Sequence, residues 1–229
     1  ITAHAVPARK PHLEPQQLGQ RRLDVKAPAE QAYLMMSWKV PGFQGFDDSA
    51  HSRDALALTV LSAVLDGYGG ARLDRTLTQG ADRVADSAGA YHDFSGRGPS
   101  VFVLDGVPAA GKTTQALESA LRAQIERIAR EGVSEEELRR VKAQWVAQAV
   151  YKRDSVFGQA MEIGTMEMAG ISHRQIDRII ERLSAVTPAQ VQAVAQKYFS
   201  DDQLTIATLF PLPVTAQADG EPAVPGLRH

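Results

Sequence analysis

Strand-forming residues gather first at positions 21–26 and again at 33–40, with Gly42, Asp47 and Asp48 marking the turn that follows, so two β-strands are predicted there. The period then changes. Leu58, Leu61 and Leu65 recur at helical spacing within residues 54–65, and Gly67, Gly69 and Gly70 end that helix before a short one over 73–77. Residues 84–94 and 100–104 return to β character, joined by the turn formers Ser95, Gly96, Gly98 and Pro99.

Residues 112–198 are almost wholly helical in pattern, with Leu117, Leu121, Ile125 and Ile128 on one stripe and Leu138, Val141 and Trp145 on another. Three helix starts are marked by side chains spaced to cap one another's amides: Ser134 with Glu137, Ser172 with Gln175, and Thr187 with Gln190, where Pro188 suits the first turn. A last apolar stretch, 204–210, reads as a strand stopped by Pro211 and Pro213. The order is thus two strands, two helices, two strands, four or five helices and a strand. Such segregation predicts an α+β fold, a mainly antiparallel sheet of about five or six strands covered by helices, because a doubly wound parallel sheet would alternate the two.

Pro7, Pro11 and Pro15 among polar residues make 1–17 an extended interdomain linker, which leaves 18–213 as the domain and 214–229 as a loose, small-residue tail. With no methionine or signal pattern at Ile1-Thr2-Ala3, a processed product or excised piece is expected. Composition narrows the chemistry. Of 229 residues 44% are hydrophobic, enough for a substantial core, and 25 basic against 27 acidic side chains point to neither nucleic acid nor an anionic membrane. Without cysteine there is no disulfide framework, thiolate metal site or cysteine nucleophile. No apolar run approaches the roughly 20 residues of a spanning helix.

The most conspicuous motif is Gly106-Val-Pro-Ala-Ala-Gly111-Lys112-Thr113, which satisfies the phosphate-loop pattern after an apolar strand and before a helix. Backbone amides would cradle phosphate, Lys112 neutralise it and Thr113 hold magnesium. A nucleotide hydrolase also needs a second strand ending in an acid, yet the next strand ends at Pro211. The motif is therefore read as a strand, a turn and a helix start with Lys112 and Thr113 in solvent, and nucleotide binding is kept as the alternative.

Several segments together resemble the carboxy-terminal domain of pitrilysin/insulinase-type (inverzincin) zinc metallopeptidases, the family of insulin-degrading enzyme, pitrilysin and mitochondrial processing peptidase. They are the linker pieces Val6-Pro7-Ala8-Arg9 and Glu14-Pro15-Gln16, the strand end Trp38-Lys39-Val40-Pro41, the helix entry Gly69-Gly70-Ala71-Arg72-Leu73, the run Glu131-Gly132-Val133-Ser134-Glu135-Glu136-Glu137-Leu138 followed by Lys142, the penultimate helix at 183–191 and the closing strand at 204–211. Order and spacing from Val6 to Pro213 carry the likeness.

The resemblance implies a sheet-and-helix domain as in pitrilysin and mitochondrial processing peptidase, paired with an amino-terminal zinc domain around a peptide. The family's His-x-x-Glu-His motif, whose imidazoles hold zinc while the glutamate activates water, is absent: His4, His12, His51, His92, His173 and His229 include no such pair. Zinc is accordingly expected in the parent protein and not in this segment. The resemblance also implies an arginine and a tyrosine, seven residues apart, that contact substrate. Laid from Arg72-Leu73, the pattern puts Thr78 and Ala85 at those positions, and neither supplies a cationic fork or a phenol. Arg75 with Arg83, or Tyr91, would serve only after a register shift, which turns a side chain to the other face unless it is even.

By likeness to bacterial two-subunit enzymes, the parent is expected to be the zinc-bearing member, periplasmic, with a homologous partner supplying the Arg/Tyr pair. A non-catalytic assembly subunit is the remaining alternative. Met35, Met36, Met161, Met166 and Met168 are expected as core fillers, Asp201-Asp202 as a turn, and Ser87 and Ser95 as residues without catalytic partners.

Overall fold

The computed structural model describes residues 15–47, 49–96 and 99–214. The linker segment with Val6, Pro7, Pro11, His4 and His12, the turn residues Asp48 and Gly98, and the tail with His229 lie outside them. Strands β1 (Arg21–Pro28) and β2 (Tyr33–Val40) precede helix α1 (Ala50–Asp66) and a single π-type turn of helix at Asp74–Thr78. Strands β3 (Ala85–His92) and β4 (Ser100–Pro108) follow. Helices α2 (Thr114–Glu131), α3 (Glu135–Arg153), α4 (Val156–Ala169), α5 (Ile176–Ser184) and α6 (Pro188–Tyr198) then lead to the closing strand β5 (Leu204–Leu212).

The five strands form one sheet in the order β1-β5-β2-β4-β3. All neighbours are antiparallel except β1 and β5, which run parallel from Arg21 opposite Thr205 to Pro28 opposite Leu212. A parallel pair needs a long crossover, and here the rest of the domain supplies it. The α+β architecture expected from element order is the one observed.

Alternation within the strands assigns the faces. Leu34, Met36, Trp38 and Val40 of β2, Phe102 and Leu104 of β4, and Leu204 and Ile206 of β5 are buried beneath the helices. Phe199, just past α6, meets Trp38 and Phe102 edge-on at 5.1 and 4.9 Å between ring centroids, and Trp38 Nε1 donates to the Ser200 carbonyl, 3.1 Å. Helix α1 rests on β3, and α2 on β4 and β2. Helices α3 and α5 lie over α1 in turn, which explains why α1 is buried nearly all round, from Ala55 and Leu56 to Val64 and Leu65.

Four expectations change. Strand β5 is not stopped by Pro211 but runs to Leu212; its pairing with β2 ends at Leu209, and beyond that one side has no ladder to complete, where a strand tolerates proline. Strand β4 continues past Leu104 to Pro108. Ser172 makes no side-chain cap, since the chain enters a 3-10 turn at His173–Gln175 before α5, whereas Ser134 with Glu137 and Thr187 with Gln190 form reciprocal caps. Packing also begins within the linker reading: Gln17 is buried and its amide donates to the Leu204 carbonyl, 2.7 Å.

Candidate functional site

The helices occupy one face of the sheet, and among the described residues the other face is open. Its floor is largely apolar: Leu23 and Val25 on β1, Met35 on β2, and Tyr91 on β3 are 54, 47, 39 and 58% exposed. Val101 and Val103 lie between them on β4. Met35 is thus part of this floor and not the core filler expected of it; Met36, its neighbour, is fully buried.

One polar pair stands on the floor. Tyr33 donates its phenol to the Asp105 carboxylate. Burial first, and then the bond to Asp105, push the Tyr33 phenol up to about 12. Gly89 on β3 leaves the room that Asp105 occupies, because a β-carbon there would sit 2.8 Å from Asp105 Oδ1.

The positions implied for a substrate-contacting Arg/Tyr pair hold a hydroxyl engaged within its own turn and a buried methyl. The Thr78 hydroxyl lies 2.6 Å from the Asp74 carboxylate and 2.9 Å from the Asp74 carbonyl, at the rim of a recess of about 490 Å³ with Asp66, Tyr68 and Asp86. That bond, followed by the Gly70 amide, holds the Asp74 carboxyl below its usual range. Ala85 is fully buried and belongs to the core.

Register explains the contrast with Tyr91. Ala85 pairs with Pro108 and Ser87 with Val107, so Asp86 is bulged out and the alternation flips. Tyr91, six positions on from Ala85, therefore reaches the open face despite the even count. Arg75 lies 3.6 Å from Glu137, and Arg83 pairs with Asp86 at 3.0 Å.

The phosphate-loop lookalike begins inside β4, which runs to Pro108. Gly106 and Val107 are paired in the sheet, and Gly106 faces Leu34 on one side and Ala88 on the other. A β-carbon on Gly106 would lie 2.4 Å from the Ser87 carbonyl oxygen, so close strand approach accounts for this glycine. Gly111, with φ of 77°, turns the chain, and Thr113 caps α2 by accepting the Ala116 amide at 3.1 Å. Lys112 is exposed. Gly106 to Pro108, the first residues of the motif, are thus part of the ladder.

The histidines within the described residues are separate from one another. His51 is exposed on α1, and His173 lies 2.6 Å from Glu167. His92 is buried between the Pro41 carbonyl at 3.0 Å and the Thr59 hydroxyl at 2.9 Å. Among the described residues no group of three His, Cys, Asp or Glu could hold a metal ion. Asp201 pairs with Arg122, and Asp202 accepts the Gly19 amide, both securing the β1 edge. The open floor and the Tyr33–Asp105 pair were missed in the sequence; the alternation of Leu34, Met36 and Trp38 against Tyr33, Met35 and Ser37 was the available signal.

Comparison with known proteins supplies the context. The sequence profile of the peptidase M16 inactive domain matches residues 2–145. A curated relative, the uncharacterized zinc protease YmxG of Bacillus subtilis (strain 168), is 26% identical over 190 residues, covering 83% of this chain and 44% of the relative. A protease from Helicobacter pylori shares the fold with a TM-score of 0.79 at 21% identity, over 92% of this chain and 49% of that one. A peptidase M16 inactive domain from Pseudomonas fluorescens does so with a TM-score of 0.66 at 18% identity, over 90% of this chain and 47% of that one. The chain therefore spans about half the length of these relatives.

Proposed function

The chain belongs to the peptidase M16 inactive-domain family, and from that membership we propose that it serves as the non-catalytic, carboxy-terminal domain of a zinc-dependent metalloendopeptidase. Its part is architectural: it pairs with an amino-terminal zinc-bearing domain of the same parent and lends the open face of its sheet as a wall of the substrate chamber. The observation that carries this reading is the uncovered apolar floor around Met35, Val103 and Tyr91 on a chain without a His-x-x-Glu-His motif. The exposed edge strand β1 offers main-chain groups to which an extended peptide can add with little regard to sequence.

Zinc, in this reading, is held by the parent's other domain, where it would activate water for attack on the peptide bond. The substrate-contacting arginine and tyrosine come from a homologous partner subunit, since Thr78 is engaged with Asp74 and Ala85 is in the core. A periplasmic home goes with this division of labour and rests on the bacterial two-subunit resemblance; no helix among the described residues is long and apolar enough to cross a membrane.

The test is kinetic. Met35→Lys and Val103→Lys, placed in the parent and assayed with its partner, are expected to raise KM for a peptide several-fold while zinc content holds. An unchanged KM removes this face from the chamber. Peptidase activity in the parent without any partner contradicts the division of labour.

A further inference from the structure

Exposed apolar side chains lie together on two surfaces. On α4, Met161 and Met168 are 54 and 60% exposed, which overturns the expectation that they fill the core. The other surface is the open floor of the sheet, and it carries a charge. Asp105 stands in the middle of that floor. On the open face its nearest neighbours are Met35 across on β2, Gly89 across on β3, and Val103 and Val107 on its own strand, so its frame is apolar on all four sides. The carboxylate is half-buried, and Tyr33 gives it a hydrogen bond but no charge. Among the described residues no cation pairs with it. Arg21 is three strands away, roughly 14 Å, and Lys39 lies opposite Val101, roughly 13 Å along β4 from Asp105.

Gly89 bears on the same point. A β-carbon there would come within 2.8 Å of Asp105 Oδ1 and 3.5 Å of Asp66 Oδ2, so the two carboxylates face one gap that any side chain would close. A glycine weakens a strand, and the nearest atoms that a side chain here would meet belong to these carboxylates. Asp66 accepts the Ala90 amide at 3.3 Å and, among the described residues, has no cation either. Burial pushes its carboxyl up, the Ala90 amide pulls it down, and the charges of Asp105 and Asp74 add to the rise. The remaining acids of the neighbouring recess are engaged within the chain, Asp74 by Thr78 and the Gly70 amide, Asp86 by Arg83.

Taking the open face as a wall of the substrate chamber, the reading on which this rests, we propose that Asp105 is the specificity-determining residue of that wall. It takes the guanidinium or ammonium of a basic residue in the bound peptide, Asp66 reaches the same cation across Gly89, and apolar residues of the peptide rest on Met35 and Val103. A peptide laid on the floor strips water from Asp105. A carboxylate so desolvated without a cation is costly, so a neutral residue at that point is disfavoured and an acidic one rejected. Tyr33 holds Oδ2, which leaves Oδ1, the oxygen beside the Gly89 gap, for the ligand. A guanidinium suits the gap better than an ammonium, because its planar fork can engage both carboxylates at once.

The experiment uses the parent with its partner and an alanine-and-leucine peptide carrying a single arginine. It is compared with the same peptide carrying citrulline, which keeps the shape without the charge, or glutamate, the variable residue being moved along the peptide one position at a time. At one position the arginine peptide is expected to have a KM about tenfold below that of the citrulline peptide, with the glutamate peptide highest. Asp105→Asn keeps a partner for Tyr33 and brings the arginine-to-citrulline ratio near one. Asp105→Lys inverts the order in favour of glutamate, which a merely structural role does not do. Asp66→Asn reduces the ratio part of the way. A ratio near one at every position in the unaltered protein overturns the assignment, as does an arginine preference that both Asp105 variants leave in place. Met35→Asn, which adds no charge beside Asp105, separates the two readings. If it raises KM for all three peptides while the Asp105 variants leave the preference alone, the wall stands and Asp105 is not its determinant; if neither it nor the Asp105 variants move KM, the wall itself falls and the assignment with it.

Discussion

Arg72 and Glu137 join two distant parts of the chain through three hydrogen bonds: Arg72 Nε and Nη2 donate to Glu137 Oε1 at 3.1 and 3.0 Å, and Nη2 donates to Oε2 at 2.8 Å. Their side chains are 12 and 13% exposed. Glu137 also accepts the Ser134 amide at 3.0 Å, so the carboxylate that caps α3 is the one that holds the turn after α1. Burial pushes the Glu137 carboxyl up, but Arg72 and the Ser134 amide outweigh it and hold it below the usual range.

Arg72→Ala leaves that carboxylate largely buried with only the looser Arg75 contact at 3.6 Å and the Ser134 bonds. The expected cost is about 3 kcal/mol, or a melting temperature lower by roughly 6–12 °C. Arg72→Lys recovers only part of it, because an ammonium cannot reproduce the fork. The pair's contribution is full above the ordinary Glu range and declines as pH falls through the depressed value, so the difference between Arg72→Ala and the parent chain shrinks in acid. Chemical denaturation at neutral and acidic pH measures both effects.

The phosphate-loop lookalike predicts a reversed pattern of sensitivity. Lys112→Ala is expected within about 0.5 kcal/mol of the unaltered chain, since Lys112 is exposed. Gly106→Ala is expected to cost about 2 kcal/mol or more from the clash with the Ser87 carbonyl. Magnesium with ATP leaves the melting temperature unchanged; a rise abolished by Lys112→Ala restores nucleotide binding as a function.

His92 makes stability pH-dependent. The Pro41 carbonyl can only accept, so Nε2 carries the proton, and Nδ1 shares the single Thr59 hydroxyl hydrogen with the Ala55 carbonyl. Desolvation lowers the folded pKa from 6.5 to about 4. The unfolded chain therefore binds a proton first as pH falls, and the contribution of His92, complete above about 6.5, is lost between there and about 4, on the order of 3 kcal/mol. His92→Gln should flatten this segment of the stability-versus-pH curve; an unchanged slope assigns it to other groups.

The helix caps give a paired comparison. Thr187→Ala removes half of a reciprocal cap at α6 and is expected to cost about 1 kcal/mol. Ser172→Ala removes no cap and should be nearly neutral. Thermal unfolding of the two variants side by side checks the distinction.

Local signals carried most of the architecture. Residues 33–40 match β2 at both ends, Thr187 and Ser134 mark their helices correctly, and the segregation of strands from helices yields the α+β class. What failed depends on neighbours that are remote in sequence. Whether Pro211 ends β5 depends on where β2 stops pairing, and whether Gly106 opens a loop depends on how close Ser87 approaches. Ser172 and Thr187 present the same local spacing, yet only one helix begins where its spacing points. The bulge at Asp86, which sends Ala85 inward and Tyr91 outward, leaves no pattern in composition. Likewise, the methionines on α4 read as core because periodicity reports a stripe without saying what covers it.

The most direct test is the zinc content of the full-length parent, purified with this domain attached, beside the isolated chain. The account predicts about one zinc per parent and none in the chain, as expected when the metal is held by the other domain. Stoichiometric zinc in the isolated chain would contradict it.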